Sequence, residues 1–289
     1  MDILNLLVAP EFFANGPVRT ALVISAGAAI VSGVVGVFTV IRGQSFAGHA
    51  LADVSSAGGS ASFLLGINPL LGFLGIALLA AGVIELAGLR RVRERDLATG
   101  VVLGAGLGLT ALFLYFDVTT RSTTGVAVSV MFGSMFAIPA SLIPLSTGVG
   151  LGALLIVAAI YRPLLLTSFE PGLAKVRGVP VRAIGLAHLL LLSLAVTLSA
   201  MTIGAILSTA LLIGPAATAL RLARRPGWAI FLAALIGLGA CWGGILLAYD
   251  SYGWTPGHSW PVSFFIVTLI FLAYLGASST AKPALKRAG

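Results

Sequence analysis

The sequence predicts an all-α fold, a polytopic transmembrane helical bundle, and two observations support that prediction. Hydrophobic residues make up 58% of the 289 positions and charged residues only 9%, with a mean hydropathy of +1.09. Such a chain has too little polar surface to cover a water-soluble globule of this size. The apolar residues also fall in runs of roughly 20, the length that a helix needs to cross a bilayer. We therefore expect a single transmembrane domain over residues 1–289.

Nine runs have the length and composition of membrane-spanning helices. They are 18–41, 46–66, 69–89, 97–116, 141–161, 181–201, 203–221, 228–249 and 261–279. If these runs alternate in direction, 15 of the 17 basic residues fall on one side, and only Arg19 and Arg121 lie on the other. Cytoplasmic loops are enriched in Lys and Arg. We therefore predict that the N-terminus lies outside and the C-terminus in the cytoplasm.

A further apolar segment, 126–138, is too short to be a span. Counting it as a span would also move Arg162 and Lys175 to the outside. We interpret it as a short re-entrant or interfacial helix on the outer side. Almost no loop separates the two runs that meet at 201–203, so one broken helix remains the alternative to two spans there.

Four ionisable residues fall inside the predicted spans: His49, Asp53, Glu85 and His188. A charged side chain at the bilayer centre costs about 2.5–3.5 kcal/mol, so each must face protein, water or a cation. Glu85 lies near the basic connector at 90–95 and fits an ion pair at a helix end. His188 fits a packing histidine. Both are also candidates for a transport pathway.

His49 and Asp53 are four residues apart and therefore share one face of the second span. Imidazole nitrogen and carboxylate oxygen together suit zinc or manganese. Two ligands on one helix leave coordination positions open, which transport requires because a fully enclosed ion would not leave. A hydrogen-bonded His–Asp pair that only pins the helix explains the spacing equally well.

Several classes of function are excluded by missing motifs. A phosphate-binding loop needs Gly-Lys followed by Ser or Thr, and none of the three lysines follows a glycine. The chain also lacks the His-Glu-x-x-His and Gly-x-Ser-x-Gly patterns of hydrolases. The net charge of +8 is explained by membrane-flanking loops, so we expect no nucleic-acid partner. The chain is predicted to be a transporter rather than an enzyme.

Six segments, in this order and spacing, resemble the membrane permeases of ABC importers for zinc or manganese. They are 41–53, 63–72, 95–100, 131–134, 168–180 and 204–218. In that family the first segment carries Asp followed by His four residues on, and the pair is thought to line the metal passage. Here the order is inverted, with His49 before Asp53. Both ligand types keep the same face, but the inversion puts in doubt the metal selectivity carried over from the family.

The resemblance implies a bacterial cell-membrane permease that forms a homodimer, with two ATPase copies at its cytoplasmic face and an extracytoplasmic metal-binding protein outside. It implies zinc first and manganese next as the transported metal, with no permanently bound cofactor. Segment 167–180 would contact the ATPase. Its coupling residues would be Phe169, Glu170, Pro171, Leu173, Ala174 and Gly178.

The residues of this segment independently predict a short helix, because Pro171 is typical of a first helical position and Gly178 of a stop. An interfacial helix held by lipid headgroups is the alternative to a coupling helix. Asp250 and His258 are candidates for outer-loop contacts with the binding protein.

Three other functions remain open on the sequence alone. An ABC permease for an iron-siderophore or a vitamin would share the scaffold but not need His49. A secondary transporter would work without ATP, and an intramembrane enzyme would show turnover without transport.

Overall fold

A computed structural model describes residues 12–87, 92–121, 124–253 and 260–280, and all regular secondary structure in these ranges is helical. The helices are α1 (Gly16–Ile41), α2 (Ser45–Leu65), α3 (Pro69–Ala87), α4 (Val92–Arg121), α5 (Thr124–Phe132), α6 (Ile143–Phe169), α7 (Pro171–Val176), α8 (Val181–Ile203), α9 (Ala205–Leu222), α10 (Pro226–Ser251) and α11 (Val262–Thr280). Two 3₁₀ turns, Met135–Ala137 and Ala140–Leu142, join α5 to α6. Each of the nine predicted spans corresponds to one helix.

Eight helices in the described ranges are long and apolar enough to cross a membrane, and α2 is the predicted span that falls outside this set. Helix α2 is rich in serine and glycine and contains the His49–Asp53 pair. Its serine hydroxyls donate to carbonyls of the same helix, as Ser55 does to Ala52 and Ser60 to Ser56. Because these polar groups are satisfied within the helix, α2 can lie among apolar neighbours despite its composition.

The chain turns back at Gly204, between α8 and α9. Gly204 has φ of 89°, a conformation that favours glycine. Leu192 of α8 and Leu212 of α9 both lie against Gly48 of α2, although they stand on either side of Gly204 in the sequence. Helices α8 and α9 are therefore two antiparallel spans, and the alternative of one broken helix is wrong.

Helix α5 is the segment predicted to be re-entrant. It has nine residues, which at 1.5 Å per residue cover less than half of the roughly 30 Å hydrocarbon core. Gly133, which follows α5, lies directly against Gly204 and the backbone of Thr202. The prediction of a short helix that does not span is confirmed, and α5 lies at the end of the bundle where α8 turns into α9. Its place on the outer side of the membrane stays a prediction.

Helix ends that the predicted topology places on the same side of the membrane lie together in the structure. Arg42, Thr167 and Gly185 meet at one end of the bundle. Asn15, Phe136 and Asp250 line one cavity at the other. We call the first the cytoplasmic end and the second the outer end, following the orientation predicted from the basic residues.

Helices α1 and α8 form the centre of the bundle, with 67% and 72% of their membrane windows buried. Polar side chains connect them to each other and to α3: the Ser32 and Ser199 hydroxyls are 2.7 Å apart, and Ser193 donates to the Ala77 carbonyl at 3.0 Å. Helices α4 and α6 are peripheral, with only 17% and 22% buried. Their apolar outer surfaces suit contact with lipid or another subunit.

Candidate functional site

Helix α2 carries the intramembrane His–Asp pair, and glycines let its neighbours approach closely. Gly58 of α2 and Gly72 of α3 lie so near each other's carbonyl oxygens that a methyl group at either position would clash. Gly106 of α4 lies in the same way against Val54 of α2. Close backbone packing of this kind holds spanning helices together where the hydrophobic effect cannot. It fixes the rotation of α2, and hence the direction of its pair.

The two side chains of the pair approach each other at the spacing of metal ligands. His49 Nε2 lies 3.5 Å from Asp53 Oδ2, and 44% of the His49 side chain and 14% of the Asp53 side chain are accessible in the single chain. Two ligand atoms about 2.1 Å from one tetrahedral ion stand about 3.4 Å apart. A hydrogen bond that only pins the helix would be shorter, at about 2.7–3.2 Å. The distance therefore fits two ligands of one ion, and it fits a His–Asp ion pair equally well.

Thr209 of α9 holds the other side of the imidazole ring. His49 Nδ1 is 3.1 Å from Thr209 Oγ1. When Nδ1–H donates to this hydroxyl, the lone pair of Nε2 faces Asp53 and is free to bind a cation. Metal-binding histidines usually donate their second ring N–H to such a partner, which fixes the tautomer and the ring orientation. Thr209 lies within the matched segment 204–218, but sequence reasoning gave it no role.

The site supplies two ligands rather than a closed cage. No group of three or more His, Cys, Asp or Glu side chains is close enough to hold a metal ion anywhere in the described ranges. The remaining positions would fall to water or to a second copy of the chain. Such an arrangement suits brief binding and release rather than storage.

Glu85 and His188 lie towards the cytoplasmic end. His188 is fully buried, and its Nε2 is 3.4 Å from the Thr39 hydroxyl of α1. The Glu85 carboxylate and the Arg42 guanidinium both approach Gly185 of α8. Their positions fit the interpretation as packing and helix-end residues, and a role for either in the pathway stays a prediction.

Asp117 is an intramembrane acid that the sequence prediction missed. The fourth span was expected to end at 116, but α4 continues to Arg121, and Asp117 is 1% exposed. It lies two turns beyond Thr110, whose hydroxyl is 2.9 Å from that of Ser56 on α2. The apolar run alone could not reveal this residue, because the helix extends past the end of that run.

The short helix predicted within segment 167–180 is present as α7, and its role in coupling stays a prediction. It begins at Pro171 and ends in a Schellman motif, in which Gly178 N–H donates to the Lys175 carbonyl and Val179 N–H to the Ala174 carbonyl. Gly178 has φ of 74°, and Ala174 is completely buried.

Large apolar side chains of this segment face outward. Phe169, Leu173 and Val176 are 53%, 44% and 86% exposed, and Glu170 and Pro171 are exposed beside them. Val176 is the most exposed of the three, and the sequence prediction did not include it. A projecting apolar surface at a loop between two spans suits docking to a soluble partner.

At the outer end, Asp250 lies in the last turn of α10. It lines a cavity of about 620 Å³ with Asn15, Phe136 and Tyr252 among others. His258, the second predicted outer-loop contact, lies outside the described residues. The cavity is large enough to receive a loop of a partner protein. The roles of Asp250 and His258 as contacts with the binding protein stay predictions.

A bundle of long apolar helices, an accessible His–Asp pair on one of the predicted spans and a short helix with an exposed apolar surface between two spans fit a transport permease that uses a separate energising subunit. The comparisons with known proteins agree. The model of the ABC 3 transport family matches residues 16–278. The chain therefore belongs to this family, and it is a permease subunit of an ABC transporter, a multi-pass bacterial membrane protein rather than an enzyme.

The relatives that resemble this chain cover most of its length. The manganese import system permease protein ScaB of Streptococcus gordonii is 31% identical over 258 residues, 89% of this chain and 90% of that protein. The manganese transport system membrane protein MntC of Halalkalibacterium halodurans is 31% identical over 224 residues, 76% of this chain and 75% of that protein. The solved structure of PsaBC from Streptococcus pneumoniae in complex with Fab has a TM-score of 0.80 at 28% identity, covering 95% of both chains.

Proposed function

We propose that this chain carries a divalent transition metal, manganese first, across the cell membrane into the cytoplasm. The observation that supports this most directly is the His49–Asp53–Thr209 arrangement. It presents an imidazole lone pair and a carboxylate oxygen 3.5 Å apart, with the ring oriented by a hydroxyl of another span. Such a constellation binds a cation without enclosing it.

The choice of manganese over zinc rests on the relatives and on the ligand set. The sequence alone placed zinc first, whereas the relatives named above are manganese permeases. Nitrogen and oxygen ligands bind both metals, whereas thiolate ligands favour zinc, and the His49–Asp53 pair includes no cysteine. Cys241 is the only cysteine in the sequence, and it is buried in α10.

A second copy of the chain would complete the passage. The His49 side chain is nearly half accessible in the single chain, and a polar pair cannot be left facing hydrocarbon. Two copies related by a twofold axis would bring two such pairs to a shared, water-accessible path. The homodimer is thus part of the proposal, and no cofactor is needed beyond the transported ion.

The two faces of the permease would receive different partners. Two ATPase copies would dock on Phe169, Leu173 and Val176 at the cytoplasmic end, and their closure on ATP would move α7. An extracytoplasmic metal-binding protein would dock near the cavity that Asp250 lines. Alternating exposure of the metal ligands to the two sides then follows from the ATPase cycle.

Reconstitution with the ATPase in proteoliposomes tests this function. We expect ATP-dependent manganese uptake, with zinc as the strongest competitor. An ATPase variant unable to hydrolyse ATP is the control. Preferential uptake of zinc would reassign the cargo, and uptake of an iron-siderophore or a vitamin without free metal would favour the related permease class. Uptake without ATP, or turnover without transport, would refute the proposal in favour of a secondary transporter or an enzyme.

A further inference from the structure

Arg42 connects the metal-binding helix to the end of the helix that precedes the coupling segment. It lies in the turn between α1 and α2, and its Nη1 donates to Thr167 Oγ1 at 3.1 Å and to Ser168 Oγ at 3.2 Å. Both acceptors belong to the last turn of α6. Helix α7 begins at Pro171, so only a short stretch of chain separates these hydroxyls from the ATPase-docking surface.

The two hydroxyls are oriented as acceptors for the guanidinium. Thr167 and Ser168 both donate their own protons to the Leu164 carbonyl, at 3.1 and 2.6 Å. Their lone pairs therefore remain for a donor from outside the helix. A planar guanidinium, which has several N–H donors and no acceptor, matches that requirement.

The last turn of α6 is able to move with the coupling helix. Pro163 lies inside α6, where it removes one backbone hydrogen bond just before the turn that carries Thr167. Helices bend most readily at such positions. A displacement of α7 would thus be carried to Thr167 and Ser168, and through them to Arg42.

The turn after Arg42 is stiff, so a movement of Arg42 reaches α2. Helix α1 ends in a Schellman motif: Gly43 N–H donates to the Val40 carbonyl at 3.1 Å and Gln44 N–H to the Thr39 carbonyl at 2.9 Å. Gly43 has φ of 65°. Helix α2 begins at Ser45, and His49 follows one turn later.

We propose that Arg42 is a positioning residue that transmits the displacement of the coupling helix to the start of α2 and so changes which side of the membrane His49 and Asp53 face. The inference rests on the proposed transport function. The physical basis is that the Arg42 side chain bridges the last turn of α6 and the turn before α2, so that a displacement of one is transmitted to the other.

The matched control is an arginine of the same chemistry elsewhere at the cytoplasmic end. Arg221 of α9 also donates from its two terminal nitrogens to two hydroxyls of another helix, Ser278 at 2.7 Å and Tyr274 at 2.6 Å on α11. Both of these partners lie on α11, so Arg221 joins two spans rather than α6 and the turn before α2. A general loss of helix tethering would affect both arginines alike.

The experiment compares Arg42→Gln, the pair Thr167→Val with Ser168→Ala, all three changes together, and Arg221→Gln. Each complex is reconstituted with the ATPase, and the manganese transported per ATP hydrolysed is measured beside manganese binding at equilibrium. We expect this ratio to fall at least about fivefold in the first three variants, to the same extent in each, with binding unchanged. Arg221→Gln keeps the wild-type ratio.

Three outcomes would overturn the proposal: a wild-type ratio in the Thr167–Ser168 variant, an equal fall in Arg221→Gln, or a combined variant much worse than Arg42→Gln alone. If Arg42→Gln does not assemble, the Thr167–Ser168 variant decides by itself, because it keeps the arginine. Failure of the wild-type complex to take up manganese would instead refute the proposed function.

Discussion

Two histidines lie within the membrane-spanning helices, each beside a threonine of another span, and the structure separates them. His49 has one ring nitrogen 3.1 Å from Thr209 and the other 3.5 Å from Asp53, and nearly half of its side chain is accessible. His188 is fully buried, with Nε2 3.4 Å from Thr39. The same residue type thus occurs once at an accessible position beside a carboxylate and once in the closed core.

Accessibility and the second partner of the ring distinguish the two intramembrane histidines. Thr39 also donates to the Val35 carbonyl, so this hydroxyl is a structural link within the core. Thr209 instead orients a ring whose other nitrogen faces a carboxylate. A buried polar contact stabilises packing, whereas an accessible one beside an acid can exchange a ligand.

The strongest test removes both proposed metal ligands. We expect His49→Ala with Asp53→Ala to reduce manganese uptake at least about a hundredfold, because no first ligands remain. Membrane insertion and association with the ATPase should persist and are checked by co-purification. Loss of assembly with these changes would support the pinning role of the pair instead.

The second test removes each threonine. Thr209→Val should weaken manganese binding about tenfold, since the His49 ring loses the partner that fixes its tautomer. Thr39→Val is the matched control, and its binding should equal that of the wild type. Equilibrium binding to the purified complex measures both variants. If the two changes weakened manganese binding equally, the hypothesis that only His49 binds the metal would be wrong.

A third test restores the order of ligands found in the family. His49→Asp with Asp53→His keeps both ligand types on the same face of α2, so uptake should persist. We expect a shift of a few-fold in the ratio of manganese to zinc transported, because the ring moves away from Thr209. Competition between the two metals in proteoliposomes measures it. An unchanged ratio would mean that the order of the pair has no influence on selectivity.

The smallest expected effect on transport comes from the buried histidine. His188→Leu should leave uptake per folded complex unchanged and lower the free energy of unfolding by about 1–3 kcal/mol, because buried packing and hydrogen bonding are lost. Thermal unfolding in detergent measures the second quantity. Loss of uptake in a fully folded His188→Leu complex would place this residue in the pathway.

Much of the fold could be predicted from the sequence because the signals are local. Apolar runs, the parity of basic connectors and the shortness of 126–138 predicted the spans and the re-entrant helix. The prediction failed where a helix outlasted its apolar run: α4 continues to Arg121 and includes Asp117. Helix α2 resembles a span less than the others do for a different reason, because serine and glycine lower its hydropathy.

The order of the spans, the His–Asp spacing and the short helix that begins at Pro171 could be read from the sequence, since each depends on residues within a few turns of one another. The tertiary structure alone decided that Thr209 orients His49, that His188 is closed off and that Arg42 reaches Thr167. These contacts join residues separated by 160, 149 and 125 positions. Their existence depends on how helices rotate and pack in lipid, where close approach of small residues rather than a hydropathy pattern selects the partners.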